Sequence, residues 1–283
     1  MTEARDPDKL TRIARMDLRE IEEEFVSLAD MQRRIMPDPG RVTAYADYDI
    51  YGVTLPTAVV GGDFYDFINL EGRFDLKDRF GVVIADAAGH GLVAAMLIRD
   101  FNTALYTAIA FEAAYAQDTT NLLFSKINRR MFRSSRPDQF ISAFYAEVHK
   151  DGIVRYINAG HFSPLILKRD RIETLDLGGL VLGAFWTPPI EYEVGETRMG
   201  MGDVLVGYTD GLIETRNGEG REYGVEALRR LAWSSRDRSA KEVCDTIMAD
   251  VAAFGGAGRQ NDDRTIIAIK KDPAKEVGEA NLD

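Results

Sequence analysis

The apolar positions along the chain change period several times, and each change marks an element. From Ala14 to Ile35 they recur at alternating steps of four and three residues, through Leu18, Ile21, Phe25, Leu28 and the polar Gln32. That spacing places them on one stripe of a helix, while charges such as Arg19-Glu20 and Glu22-Glu23-Glu24 fill the other faces. Such a stripe either packs on the helix's own domain or forms a coiled-coil seam with a second copy. The pattern predicts a helix over residues 10–36, ended by Pro37 and Pro39-Gly40.

Beyond Arg41 the period falls to two. Tyr45 to Val53 alternates, Val59 to Phe67 follows Pro56, and Phe80 to Ala85 is a short apolar run, so all three read as strands. Gly61-Gly62 inside the second run points to backbone in close approach to something else. Helical spacing returns over Gly91 to Tyr115 and over Thr119 to Arg133, the latter capped by Asp118 or Thr119. Strands follow at Ile141 to Val148 and Val154 to Asn158, joined through Asp151-Gly152, a hairpin signal. A polar strand near Tyr192 and the strand Asp203 to Asp210 precede helices at Val225 to Trp233 and Ala240 to Phe254. The strand Arg264 to Ile269 closes the pattern. Strands in runs and helices in pairs predict a layered α+β fold rather than βαβ winding. No repeat or linker divides residues 41–271, which read as one catalytic domain between a polar start at 1–9 and a polar tail at 272–283.

Composition narrows the class. The chain has 283 residues, 45% hydrophobic and 29% charged, which is ordinary for a globular protein with a sizeable core. Its net charge of −11 argues against a nucleic-acid binder. The single cysteine, Cys244, excludes an internal disulfide, fits a reducing compartment and lies in a helical pattern as a buried thiol. No apolar run approaches membrane-spanning length, and Met1 to Lys9 lacks a signal-peptide core, so a cytoplasmic protein with no membrane partner is expected.

Candidate chemistry concentrates in aspartates. The apolar run Val82-Val83-Ile84-Ala85 drives into Asp86, followed by Ala87-Ala88-Gly89-His90-Gly91. A carboxylate held at a strand end suits a hard-metal ligand, and it equally suits a helix cap. Asp63, Asp210 and the pair Asp262-Asp263 share that context, each beside Gly or another Asp. Four such positions gathered in one sheet system would repel one another without a cation. Two divalent ions would relieve the repulsion, supply a bridging hydroxide and neutralise phosphoryl oxygens during in-line attack. Other chemistries lack their motifs. The sequence has no G-x-x-x-x-G-K-[ST] loop, no G-x-G-x-x-G and no G-x-S-x-G, and Cys244 has no arginine loop after it. The three histidines, His90, His149 and His161, lack zinc-ligand spacing. His90 reads either as a proton donor to a leaving alkoxide or as a brace for its turn, and His161 reads as structural.

Five segments occur in the order seen in one family: Gly61-Gly62-Asp63-Phe64-Tyr65-Asp66, Asp86-Ala87-Ala88-Gly89-His90-Gly91, Asn158-Ala159-Gly160-His161, Tyr208-Thr209-Asp210-Gly211 and Asp262-Asp263-Arg264-Thr265. Over roughly residues 25–270 the chain resembles SpoIIE/RsbU-type serine/threonine phosphatases of the PPM superfamily of metal-dependent phosphatases. The resemblance implies an α-β-β-α sandwich of two packed, mainly antiparallel sheets flanked by helices. It implies two Mn²⁺ or Mg²⁺ ions, with Asp86 bridging both and the Ala87 backbone carbonyl on the second. Asp210 and Asp262 resemble ligands of the first ion, and Asp63 resembles the acid that holds a metal directly or through water. Asp263 stands where the wider superfamily often has Asn, and Ala87-Ala88 stands where many relatives have Gly, Val or Ser. By the same resemblance the substrate is a phosphorylated STAS-type anti-sigma-factor antagonist in a bacterial partner-switching pathway. It further implies an upstream activator protein and a homodimer through residues 10–36. The alternative is a non-catalytic phosphatase-like module that assembles through its N-terminal helix.

Overall fold

The computed structural model describes residues 18–37, 43–89, 91–115, 120–136, 138–185, 191–256, 258 and 260–272. The polar start, the part of the expected helix before Leu18, the expected cap at Asp118 or Thr119, Pro39-Gly40, His90 and the tail after Asp272 lie outside these residues. Two sheets stack face to face. The first runs in the order β1 (Thr43–Tyr45), β2 (Tyr48–Leu55), β12 (Arg264–Lys271), β11 (Val204–Tyr208), β7 (Leu165–Leu167) and β8 (Ile172–Thr174). The second runs β10 (Gly195–Arg198), β6 (Ile153–Ala159), β5 (Ile141–His149), β4 (Arg79–Ala87) and β3 (Asp63–Ile68). A short β9 (Gly178–Gly179) pairs parallel with β6, and the other pairings are antiparallel.

The strands carry apolar residues on both faces, because each sheet is covered twice. Along β4, Phe80, Val82 and Ile84 enter the core between the sheets with Tyr65, Ile50, Leu205 and Ile267. The alternate residues Val83, Ala85 and Ala87 pack instead against α3 (Leu92–Tyr115) and α4 (Thr120–Ser134), through Ile98, Phe101, Leu105 and Phe124. On the far side, Val204, Val206, Ile266 and Ala268 pack under α6 (Val225–Ser235) and α7 (Ala240–Gly255). The layering is therefore helix, sheet, sheet, helix, as an α-β-β-α sandwich requires. Cys244 is buried in that last layer as an inert thiol. Helix α7 opens with a capping box between Ser239 and Glu242. Two short helices, α2 (Leu70–Phe74) and α5 (Asp210–Ile213), complete the described elements with the N-terminal α1 (Leu18–Arg33).

Several expectations change. The Tyr45 to Val53 alternation is a hairpin rather than one strand, turned at Ala46 with φ 50° and Asp47. The strand expected from Val59 begins only at Asp63: Gly61 pairs with the Gln32 side chain and the Gly62 N–H with Asp263, and only the Gly62 carbonyl reaches β4, by accepting the Ala87 N–H. The polar strand expected near Tyr192 is β10, three residues on, and Tyr192 itself is buried against Phe124. The described part of the helical stripe packs inward: Leu28 on Ala29, Val60 and Ala95, and Ile35 against the α3–α4 core. Leu28 and Ile35 thus make apolar contacts within the chain. Finally, Leu92–Ala114 of α3 does reach membrane-spanning length and hydropathy, contrary to the expectation from the sequence. One of its faces is occupied by the second sheet through Ile98, Phe101 and Leu105.

Candidate active site

The parity of β4 decides where Asp86 points. It continues the series Phe80, Val82, Ile84 and so lies on the face between the sheets, at the end where the apolar core stops. Asp63 is its direct partner across the β3–β4 pair, in the same series as Tyr65 and Phe67. Ser142 of β5 is Asp86's partner on the other side. Asp63, Asp86 and Ser142 therefore form one row of cross-strand neighbours, whose Cβ atoms stand about 5 Å apart in such pairs. A helix cap for Asp86 is excluded by position, since α3 starts only at Leu92.

The first sheet meets this row with hydroxyls. Thr209 and Thr265 both donate to Asp63 Oδ2, at 2.8 and 2.6 Å. Thr265 has one hydroxyl proton, so with that bond made it accepts from Thr54 at 2.8 Å. Thr209 in turn accepts the Thr265 backbone N–H at 3.0 Å. One buried carboxylate oxygen thus ties β3 to β12 and to the end of β11, closing the two sheets over the site. No hydroxyl donor is described for its Oδ1.

Asp210 is the first residue of the one-turn helix α5, one residue after Thr209, and Asp262 is exposed just before β12. The Asp262 Oδ1 accepts the Asp263 N–H at 2.8 Å. Asp263 differs from the other acids. Its Oδ1 accepts the Thr57 N–H at 2.6 Å and its Oδ2 the Gly62 N–H at 2.7 Å. Both oxygens accept backbone amides, so Asp263 acts as a brace for the glycine segment. A Cβ on Gly61 would overlap Asp263 Oδ2, and one on Gly211 would overlap the Asp263 carbonyl, which explains why both positions are glycine.

The electrostatics are those of crowded acids. Burial and then the Asp263 and Asp210 charges raise Asp63 above the usual carboxylate range, against the lowering effect of its two threonine bonds. Burial, Asp63, Asp210 and Asp262 raise Asp86 in the same direction. Asp210 is pushed up to about 6, by burial and by Asp262 and Glu214. The charges acting on these groups most strongly are one another's. Among the described residues no three His, Cys, Asp or Glu side chains converge on one point as metal ligands would. The all-oxygen donor set of Asp63, Asp86, Asp210, Asp262 and the Ala87 carbonyl fits a hard divalent cation in kind. The Ala87 carbonyl stands beside Gly62, where an added Cβ would come within 2.9 Å of it. His90, the residue with two readings, lies outside the described residues. His161 is buried, with its pKa lowered to about 4 by desolvation, and Nδ1 shares a 2.8 Å hydrogen bond with Ser142.

The sequence profile of the Stage II sporulation protein E (SpoIIE) family matches residues 77–272, well over half of the chain. The chain belongs to the SpoIIE family. The match leaves out Asp63 and Gly61-Gly62, which the fold brings to the matched residues. The phosphoserine phosphatase RsbU of Bacillus subtilis is 24% identical over 258 residues, covering 89% of this chain and 71% of RsbU. Protein IcfG of Synechocystis is 24% identical over 289 residues, and the alignment spans 42% of IcfG. Among solved structures, the PP2C domain of SiaA from Pseudomonas aeruginosa shares the fold with a TM-score of 0.73, at 20% identity over 90% of this chain and 98% of that one. The RsbU and RsbW domains of Rv1364c from Mycobacterium tuberculosis align with a TM-score of 0.61 and 26% identity, over 82% of this chain and 61% of that one. SpoIIE family members are PPM-type phosphatases, and the helix–sheet–sheet–helix layering here is the PP2C-type fold.

The residues that sequence reasoning missed are Thr209, Thr265 and Gln32. The two threonines stood inside motifs already singled out, next to Asp210 and Asp263, and a hydroxyl beside a strand-end acid was the available signal. Gln32 showed only as a polar residue in an apolar stripe.

Proposed function

We propose that this chain is a metal-dependent phosphoserine/phosphothreonine protein phosphatase. The observation that carries the reading is the cross-strand pair Asp63 and Asp86, set between two sheets beside Asp210 and Asp262 in a SpoIIE family chain. Asp86, the Ala87 carbonyl, Asp210 and Asp262 would hold Mn²⁺ or Mg²⁺, with Asp63 contributing directly or through water; a structure of RsbX with magnesium is among the chain's fold relatives. Cations bound there would supply charge that neutralises phosphoryl oxygens and activates the attacking water.

The chain's own residues do the rest. The threonine pair fixes one oxygen of Asp63 and leaves the other for ligation. Asp263 holds Gly61-Gly62 against Ala87, so the carbonyl of Ala87 keeps its direction. An uncompensated acid cluster repels a phosphate dianion, so binding of substrate follows binding of cation. His90 or water protonates the leaving serine or threonine oxygen. The name of RsbU, a phosphoserine phosphatase, supports the substrate class, and we assign a phosphorylated STAS-type anti-sigma-factor antagonist as the target in a cytoplasmic partner-switching pathway. An activator protein acting at the N-terminal helix, and a homodimer through residues 10–36, belong to the same reading.

The test is a pair of isosteric substitutions. Asp86→Asn and Asp210→Asn should each abolish Mn²⁺-dependent release of phosphate from a phosphoserine protein while leaving the circular dichroism spectrum intact. Full activity in either folded variant contradicts the assignment.

A further inference from the structure

The segment Asn158-Ala159-Gly160-His161 brings an imidazole to the acid row at the end away from Asp63. Asn158, near the end of β6, turns the chain: its Oδ1 accepts the His161 N–H at 2.7 Å, and its Nδ2 donates to the Leu175 carbonyl at 3.1 Å. Gly160 makes the turn at φ 66°, where a Cβ would overlap Val181. His161 is thereby buried with Nδ1 2.8 Å from Ser142 Oγ, and Ser142 is the cross-strand partner of Asp86. Ser142 shares its face of β5 with Phe144, Ala146 and Val148, which enter the core between the sheets. It is half-buried while Ile141 and Ala143 on either side are buried, so it borders the open end of that core, where the acids lie.

The placement of two protons determines what Ser142 offers to that space. Burial lowers the His161 pKa to about 4, so at neutral pH the ring is uncharged and carries one proton. Nδ1 is engaged by Ser142. Nε2 is buried without a close hydrogen bond among the described residues, and the Tyr208 backbone carbonyl bears on the ring as an acceptor. A carbonyl attracts an N–H and repels a bare nitrogen, which puts the ring proton on Nε2. Nδ1 then only accepts, and the Ser142 hydroxyl proton goes to it. What remains on Ser142 is oxygen lone pairs. They form a neutral acceptor beside Asp86, adding no charge to acids that already raise one another.

We propose that Ser142 is a further catalytic residue, whose oxygen accepts a hydrogen bond from the attacking water beside Asp86, and that His161 is its positioning residue, holding the hydroxyl proton at Nδ1. The proposal rests on the reading of the chain as a phosphatase. Ser142 keeps its own proton throughout, takes none from the water and forms no covalent bond. It fixes the direction of one water O–H, and with it the direction of the water's oxygen lone pair toward phosphorus.

Two measurements on the full chain test it. Nitrogen-15 NMR of the metal-free protein at neutral pH should show His161 with a protonated Nε2 and a bare Nδ1, and the Nδ1 resonance should move in Ser142→Ala, where its donor is gone. With Mn²⁺ and a phosphoserine protein, Ser142→Ala should lower kcat by about tenfold, the loss of one hydrogen bond made as the water attacks, with KM within about twofold. Ser142→Thr, which restores the hydroxyl, should recover most of the lost rate. A proton on Nδ1 overturns the proposal, because Ser142 would then accept from His161 and turn a donor toward the acids. Wild-type kcat in folded Ser142→Ala also overturns it, as does a loss confined to KM or one that threonine does not restore. If the unaltered chain releases no phosphate with Mn²⁺, the phosphatase reading itself fails and the proposal falls with it. An active unaltered chain with an equally active alanine variant sinks the proposal alone.

Discussion

Asp63 and Asp86 face each other across the β3–β4 pair, and both side chains enter the space between the two sheets where its apolar filling ends. Two carboxylates in neighbouring strand positions are costly when both are charged. Replacing one should therefore stabilise the metal-free protein even as it removes activity. Asp86→Asn is expected to raise the thermal midpoint in chelator by roughly 2–4 °C, the shift that about 1 kcal/mol produces in a domain of this size. Differential scanning calorimetry checks it; a lowered midpoint would mean that the pair is not under repulsion.

The same repulsion predicts a pH dependence. Burial and neighbouring charge raise Asp63, Asp86 and Asp210, the last to about 6. The folded chain then keeps protons that the unfolded chain gives up near about pH 4, so stability is full below that pH and falls as pH rises through the folded values. His161 runs the other way. Its folded pKa is about 4, so the unfolded state alone takes up a proton below about pH 6.5, and its contribution grows between those values and is flat above. Above about pH 6.5 only the acids act, and unfolding in chelator should occur at lower urea as pH rises into the alkaline range, an effect that saturating Mn²⁺ removes. A chelated midpoint that stays level there contradicts the raised carboxylates.

Thr265 links three groups through one oxygen, and its loss should be felt in stability. Thr265→Val keeps the shape and leaves Asp63 with one hydroxyl donor instead of two. The cost should be about 1–3 kcal/mol, the range for depriving a buried polar group of a hydrogen-bond partner, read from urea unfolding at neutral pH. A cost near zero would show that the threonines do not hold the sheets together.

Gly61 should tolerate nothing larger. A Cβ there overlaps Asp263 Oδ2, so Gly61→Ala must push Asp263 off the Thr57 and Gly62 amides. We expect a loss of about 1–3 kcal/mol together with weakened Mn²⁺ binding, both measurable on the purified variant. Gly89→Ala is a different case: space is open around it, and its cost comes from φ 97° alone.

How far the sequence anticipated this arrangement depends on the range of the contacts involved. The run Val82 to Ala85 ending in Asp86 is local, and so were the long helix after it, the Asp151-Gly152 hairpin and the inward stripe of Leu28 and Ile35. Period-two and period-four patterns carry such features directly. The partners of Asp63 stand 146 and 202 residues away, and those of Asp263 stand 206 and 201 away. No window of sequence contains both ends of those bonds. That is why the hold of Asp263 on the Thr57 and Gly62 amides could not be read from the sequence, and why Val59 read as the start of a strand. Gln32 was ambiguous for a related reason: a polar residue in a stripe reads as a seam position until its partner, the Gly61 peptide, is seen.

The central claim is that these carboxylates hold a cation on which phosphate release from a phosphorylated serine or threonine depends. Its most direct test is the rate of inorganic phosphate release from a phosphoserine protein by the wild-type chain, first with Mn²⁺ and then after chelation. The account predicts release with Mn²⁺, its loss in chelator and its return when the ion is restored. Release that persists undiminished in chelator, or none under any divalent ion, would contradict it.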